Sequence, residues 1–345
     1  MRAEHIAVIG DGGWGTALAR LLVGKGHAVR LWGAFPDYIE TMRERRENVK
    51  FLPGVALPDG LELTGDMAAA VAGADLVVMA VPVQFMRGVL RGLVRCYRAG
   101  GGQARCLSLR GGTPIVSVAK GIENRTLLRA TQVITDVLGR VPVVALSGPS
   151  HAEEVARGLP ATVTAASREA ALARRAQELF MTERFRVYTT RDVVGVELGG
   201  AVKNVVAIAA GICDGLGLGD NAKAALLTRG LAEMMRLGVA LGARRDTFAG
   251  LAGIGDLITT CTSPYGRNRS VGIQIARGRT LREVVGGMEM VAEGVRTTLS
   301  VRALARRHRV EMPITEEVYR VLFRGKDPRL AVRDLMQRAA KDEAG

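Results

Sequence analysis

Lys203 and Asn204 stand inside a glycine-rich apolar run, Glu197-Leu-Gly-Gly-Ala-Val-Lys-Asn-Val-Val-Ala-Ile-Ala-Ala-Gly-Ile212, where an ordinary core has no use for them. An ammonium taken out of water is costly without a partner. Arginine supplies most of the 48 basic residues, so background composition does not account for a lysine at this point. Unlike arginine, a desolvated lysine can be tuned down to exchange a proton near neutral pH, which is general acid/base chemistry. The competing explanation is a lysine that snorkels from a helix flank into water.

Three other stretches offer groups that could work with it. Gly253-Ile-Gly-Asp-Leu-Ile-Thr-Thr-Cys261 puts Asp256 and Thr260 four residues apart, on one face of a helix. A carboxylate in so apolar a frame needs a donor, and Lys203 is the candidate; a plain helix N-cap is the alternative. Lys120, in Ser117-Val-Ala-Lys-Gly-Ile-Glu123, ends an expected strand, at the edge where open α/β sheets bind ligands. Leu146-Ser-Gly-Pro-Ser-His-Ala-Glu-Glu154 brings the Gly148 backbone and the Ser150 hydroxyl to the same edge, or forms only a capped turn. His151 has no evident partner, which suits a cofactor-side or structural place. Gly266-Arg-Asn-Arg269 offers an arginine fork with amide and backbone donors, a phosphate clamp built on Gly266, Arg267 and Asn268. Arg267 and Arg269 cannot both face one spot on a helix, and a solvated basic face is the other reading. Lys120, Gly148, Ser150, Lys203, Asn204, Asp256, Thr260, Gly266, Arg267 and Asn268 are thus candidates for substrate contact, with Lys203, Lys120 and Asp256 the candidate catalytic set, each beside its structural alternative.

Gly10-Asp-Gly-Gly-Trp-Gly15 follows a short β-branched run and precedes a helical stretch. In that context Gly10 permits the tight turn, Gly12 lets backbone approach a pyrophosphate, and Gly15 allows close helix–strand packing. The expected cofactor is NAD or NADP. The second strand ends at Gly33, Ala34 and Phe35, with Asp37 further on, so neither the acid that holds the ribose hydroxyls of NAD nor an arginine for the extra phosphate of NADP stands at the tip. Preference between the two stays open.

These groups need elements to bring them together. Strand-like runs at 6–9, 27–32, 75–81, 115–119, 142–146, 160–165 and 186–190 alternate with helical stretches, among them 16–23 and 168–180. That alternation predicts an α/β fold, a Rossmann-type mostly parallel sheet domain over 1–190. Beyond 191 long helical periods such as 221–241 and 297–307 take over, predicting an all-α C-terminal domain over 191–345 that carries the catalytic lysine. The stretch 95–112, rich in glycine and arginine, reads as a surface loop with a short strand at 104–109.

At 345 residues the chain exceeds the usual size of one core, which also favours two domains. The 48 basic and 34 acidic residues give a formal charge of +14, which admits nucleic acid, acidic membranes or small phosphorylated ligands. The arginines are scattered and aromatics make up only 4%, so base-stacking surfaces are scarce and no nucleic-acid partner is expected. Cys96, Cys106, Cys213 and Cys261 have neither metal spacing nor a disulfide framework; no metal and a reducing, cytoplasmic compartment are expected. The N-terminus lacks a signal-peptide pattern, and Glu197 and Lys203 interrupt the longest apolar run, so no membrane insertion is expected.

Taken in order, Gly-Asp-Gly-Gly-Trp-Gly-Thr-Ala-Leu, Ser-Val-Ala-Lys-Gly-Ile-Glu, Leu-Ser-Gly-Pro-Ser, the Glu197 to Gly211 motif, Asp-Gly-Leu-Gly-Leu-Gly-Asp-Asn and Gly-Arg-Asn-Arg closely resemble bacterial NAD(P)-dependent glycerol-3-phosphate dehydrogenase over nearly the whole chain. The resemblance implies reversible reduction of dihydroxyacetone phosphate to sn-glycerol 3-phosphate for glycerophospholipid synthesis, by a cytoplasmic homodimer. It implies Lys203 as general acid/base, with Lys120, Gly148, Ser150, Asp256, Gly266, Arg267 and Asn268 around the substrate. Gly13, Trp14, Ala34, Lys120, Ala152, Arg267, Val291 and Glu293 match cofactor positions. Three departures stand out: Gly266 where many relatives have serine, Ala34 where they often have arginine or histidine, and a longer 95–112 stretch. Two rival readings share parts of the pattern, another dehydrogenase of similar architecture and a non-enzymatic nucleotide sensor or basic nucleic-acid-binding protein.

Overall fold

The computed structural model of the chain describes residues 2–99, 112–288, 292–340, 342 and 343. Its sheet is built from β1 (His5–Ile9), β2 (Ala28–Trp32), β3 (Leu61–Thr64), β4 (Leu76–Met79), β5 (Ile115–Ser117), β6 (Val143–Ser147), β7 (Ala161–Ala166) and β8 (Phe185–Thr190). They lie in the order β3-β2-β1-β4-β5-β6-β7-β8, parallel throughout except where β7 runs antiparallel to β6. Parallel strands are covered on both faces, so they read as unbroken apolar runs: β4 is Leu-Val-Val-Met with every residue buried. One face packs Ile6, Val8, Leu18, Leu22 and Leu31, the other Ala7, Ile9, Val77, Met79 and Met86. The expected mostly parallel sheet followed by helices is borne out. β3 is an addition, four residues too short to announce themselves in the sequence. The strand expected at 104–109 lies outside the described residues.

From Val193 onward every described regular element is helical. The 23-residue helix Val193–Gly215 runs through the middle of this half, nearly all of it buried, and packs against the helices Gly219–Ala240, Asp256–Thr262, Arg267–Ala276 and Glu293–Arg307. Asp192 starts it, accepting from the Gly195 amide at 2.9 Å and also holding the Arg244 amide and the Thr247 hydroxyl. Though Glu197 and Lys203 interrupt it, this helix still has the length and mean hydropathy, 1.6, of a membrane span. The protein's own core buries 89% of that window. Glu197 lives there because Arg129, the Thr131 amide and the Thr131 hydroxyl all donate to its carboxylate, tying the helix to the sheet half.

Candidate functional site

The turn between β1 and the helix Gly13–Gly24 is shaped by its glycines. Gly10 has φ +119°, which a side chain would resist, and an added Cβ there would sit 2.8 Å from the Ala80 carbonyl oxygen. A Cβ on Gly15 would overlap the Gly10 carbonyl, whereas one on Gly12 would meet nothing within 4 Å. No side chain caps the helix that begins at Gly13, which leaves its first amides without a side-chain partner, as binding a pyrophosphate requires. The Trp14 ring packs away against Phe185, with centroids 6.3 Å apart, leaving only its backbone toward the turn. Ala152 lies beside Gly13, and Ala34 is exposed just past β2. These residues fit a dinucleotide. Val291 lies outside the described residues.

At the carboxyl end of β5 and β6 the sheet half meets the helical half. Lys203 is only 4% exposed; its Nζ donates to Asp256 Oδ1 and Thr260 Oγ1. Lys120 Nζ donates to the other oxygen of the same carboxylate, Asp256 Oδ2, at 2.8 Å, and to the Gly148 carbonyl at 2.8 Å. Asp256 thus joins two cations from opposite halves. It is the first residue of its helix, entered through a π-helical turn at Leu251–Gly255, and its side chain reaches the lysines instead of capping. Asp256 and Thr260 meet the same amine, as their four-residue spacing predicts.

Burial is the largest influence on Lys203 and lowers its pKa; Asp256 opposes, Lys120 reinforces, and the amine is pushed down to about 8. Removal from water, the influence expected of a lysine in an apolar run, outweighs the neighbouring lysine. Burial also pushes Asp256 upward, yet the two ammonium groups outweigh it and hold its carboxyl below the usual range. His151 projects its imidazole into the same neighbourhood: burial, then Lys203, hold it below the ordinary histidine value, and Nε2 is buried without a partner.

The remaining residues form a connected frame. Asn204 donates to the Lys120 carbonyl at 3.1 Å, and Asn268 donates to Asn204 Oδ1 at 3.0 Å while accepting from the Gly294 amide at 2.9 Å. Asn268 therefore ties three segments together, and only a second amide hydrogen and backbone remain for a phosphate. Gly266 caps the helix Arg267–Ala276 without a side-chain bond. Arg269 turns away to Asp214, while the charge of Arg267 reaches Glu293, as the expected division between the two arginines requires. Glu293 opens the helix Glu293–Arg307, its pKa raised by burial against Arg267 and the two lysines. Ser150 donates to the Gly148 carbonyl at 3.0 Å, an acceptor it shares with Lys120. Gly199 and Gly200 are filled by the protein itself: a Cβ on the first would overlap the Ala252 carbonyl, and one on the second would lie 2.7 Å from Ser147 Oγ. Ser147, buried and unpartnered beside Lys120, was not singled out in the sequence; a serine ending a strand carries no signal of its own.

Comparison with known proteins gives a consistent answer. Residues 5–173 match the family model for the NAD-dependent glycerol-3-phosphate dehydrogenase N-terminus and residues 192–333 that for its C-terminus. The chain is 53% identical over 344 residues to a glycerol-3-phosphate dehydrogenase [NAD(P)+] of Geobacter sp. (strain M21), covering 99% of each, and 51% identical over 341 residues to that of Moorella thermoacetica, covering 99% and 98%. The crystal structure of glycerol-3-phosphate dehydrogenase from Coxiella burnetii superposes with a TM-score of 0.90 at 39% identity, over 97% of this chain and 99% of that one.

Proposed function

The chain belongs to the NAD-dependent glycerol-3-phosphate dehydrogenase family, and from that premise we propose that it reduces dihydroxyacetone phosphate reversibly to sn-glycerol 3-phosphate with Lys203 as the proton donor. The protein is an oxidoreductase that uses NAD or NADP. The observation that carries the proton assignment is the buried Lys203 amine held by Asp256 and Thr260. Two of its three N–H bonds are thereby fixed, leaving one for a substrate oxygen.

When bound, the reduced nicotinamide supplies the hydride. As charge develops on the ketone oxygen, the Lys203 ammonium stabilises it and then hands over a proton; burial makes that interaction stronger than it is in water. Lys120 is the second cation at the developing charge and, through Asp256, keeps the donor amine oriented. Asn204 holds the Lys120 backbone in place. Arg267, the uncapped amides after Gly266 and the remaining Asn268 hydrogen hold the phosphate, turning binding energy into orientation. The 1–190 part presents the cofactor and the 191–345 part supplies the amine. The wider reading is a cytoplasmic homodimer feeding glycerophospholipid synthesis, with no nucleic-acid or membrane partner.

Lys203→Ala is expected to reduce kcat at least about a hundredfold, the usual contribution of a positioned acid, while NADH or NADPH still titrates its fluorescence. Activity within a fewfold of the parent removes Lys203 from the chemistry. In the same assay a phosphate-free hydroxy acid turned over faster than the phosphorylated pair refutes the substrate.

A further inference from the structure

Gly33 is the first residue beyond β2, where a nucleotide-binding sheet usually projects the acid that receives the adenosine ribose. Its missing side chain leaves a space, and that space is filled from the neighbouring strand. A Cβ on Gly33 would lie 2.5 Å from Asp11 Oδ2 and 2.7 Å from Asp11 Cγ. Asp11 is the second residue of the glycine turn, and β1 and β2 run in parallel with Ile9 level with Trp32, so its carboxylate stands at the tip of β2 without belonging to it.

The placement is fixed from behind. The Asp11 carbonyl accepts from Asn48 Nδ2 at 2.7 Å and from the Thr16 hydroxyl at 3.3 Å; fully buried Asn48 is itself held by Thr16 and the Tyr38 hydroxyl. Of the carboxylate, by contrast, Oδ2 is buried and has no hydrogen-bond partner. A buried acceptor without a donor carries a desolvation penalty. Burial accordingly holds the carboxyl above its ordinary range, against its own backbone amide and Lys50, whose charge reaches it. Past Gly33 come Ala34, Phe35 at 69% exposed, Pro36 and Asp37, which bring no cation of their own, so Lys50 is the cation whose charge reaches this corner.

We infer that Asp11 takes the place of the missing acid at the β2 tip, accepting from the adenosine ribose hydroxyls and thereby making the chain prefer NAD(H) over NADP(H). A ribose phosphate would bring two further negative charges against this carboxylate in a partly desolvated corner. The inference rests on the glycine turn being the dinucleotide site. Fluorescence titration of the parent, Asp11→Ala and the near-isosteric Asp11→Asn with NADH and with NADPH tests it as binding, apart from turnover. The parent is expected to bind NADH at least about tenfold more tightly than NADPH, the size of a hydrogen bond to a charged group. Both variants are expected to bring that ratio to within about threefold, by weakening NADH, tightening NADPH, or both. A parent that favours NADPH or neither, or variants in which both affinities fall together and the ratio stays, overturns the role of Asp11. If neither nucleotide binds the parent, the assignment of the turn falls as well.

Discussion

A lysine amine pushed down to about 8 changes charge inside the range where a dehydrogenase is assayed. Ketone reduction must start from the ammonium, so kcat/KM for dihydroxyacetone phosphate is expected to fall as pH rises through about 8. Oxidation of glycerol 3-phosphate needs the neutral amine, and its kcat/KM is expected to rise over the same interval. Asp256 favours the protonated form, so Asp256→Asn is expected to move both limbs to lower pH. Profiles in both directions check this: limbs that run the same way, or stay put when Asp256 is changed, would assign the proton elsewhere. The apparent value belongs to the Lys203, Asp256 and Lys120 cluster as a unit. These three were legible because each is a charged group in apolar surroundings, and burial makes such a group expensive. Asp11 was not, since the second position of a glycine turn tolerates almost anything and only its place over the missing side chain of Gly33 gives it meaning. Nor was the Asn204–Asn268 bond, which spans 64 residues of sequence.

Among the elements, the contact between the helices Val193–Gly215 and Arg267–Ala276 is made backbone to backbone. A Cβ on Gly272 would overlap the Ile208 carbonyl and lie 2.7 Å from the Ile212 amide nitrogen. Gly272→Ala gains roughly 1 kcal/mol of helix propensity but must push apart two main chains, an overpacking cost of about 1–3 kcal/mol or more. The expected outcome is a lower Tm in a thermal melt; an unchanged or higher Tm would mean the helices can separate freely. The helices themselves were legible from their period, and so was the order of strands and helices in the sheet half. The reversal between β6 and β7 was not, because alternating runs say nothing about direction, and β3 was lost to its brevity.

For the whole molecule, a formal charge of +14 surrounds a site built for a phosphorylated ligand. Such a field gathers anions from a distance, and its reach shrinks from about 30 Å at 0.01 M salt to about 8 Å at 0.15 M. Between these salt concentrations kcat/KM for dihydroxyacetone phosphate is expected to fall several-fold, while that for uncharged dihydroxyacetone stays nearly constant; parallel behaviour of the two would exclude steering. The turn of direction at β7 has a further effect. Because β8 follows β7, the chain leaves the sheet at the rim opposite Gly148 and Lys120, and the helix starting at Val193 must carry it back. Val193 and Val196 lie against Ala145 in mid-strand, and Gly200 reaches Ser147 at the strand's end. That helix is a measuring rod, about 15 Å from its start to the amine. A single residue added below Lys203 would swing it about 100° away from Asp256. Chain length can drift after Gly215 but not in the ten steps before the lysine.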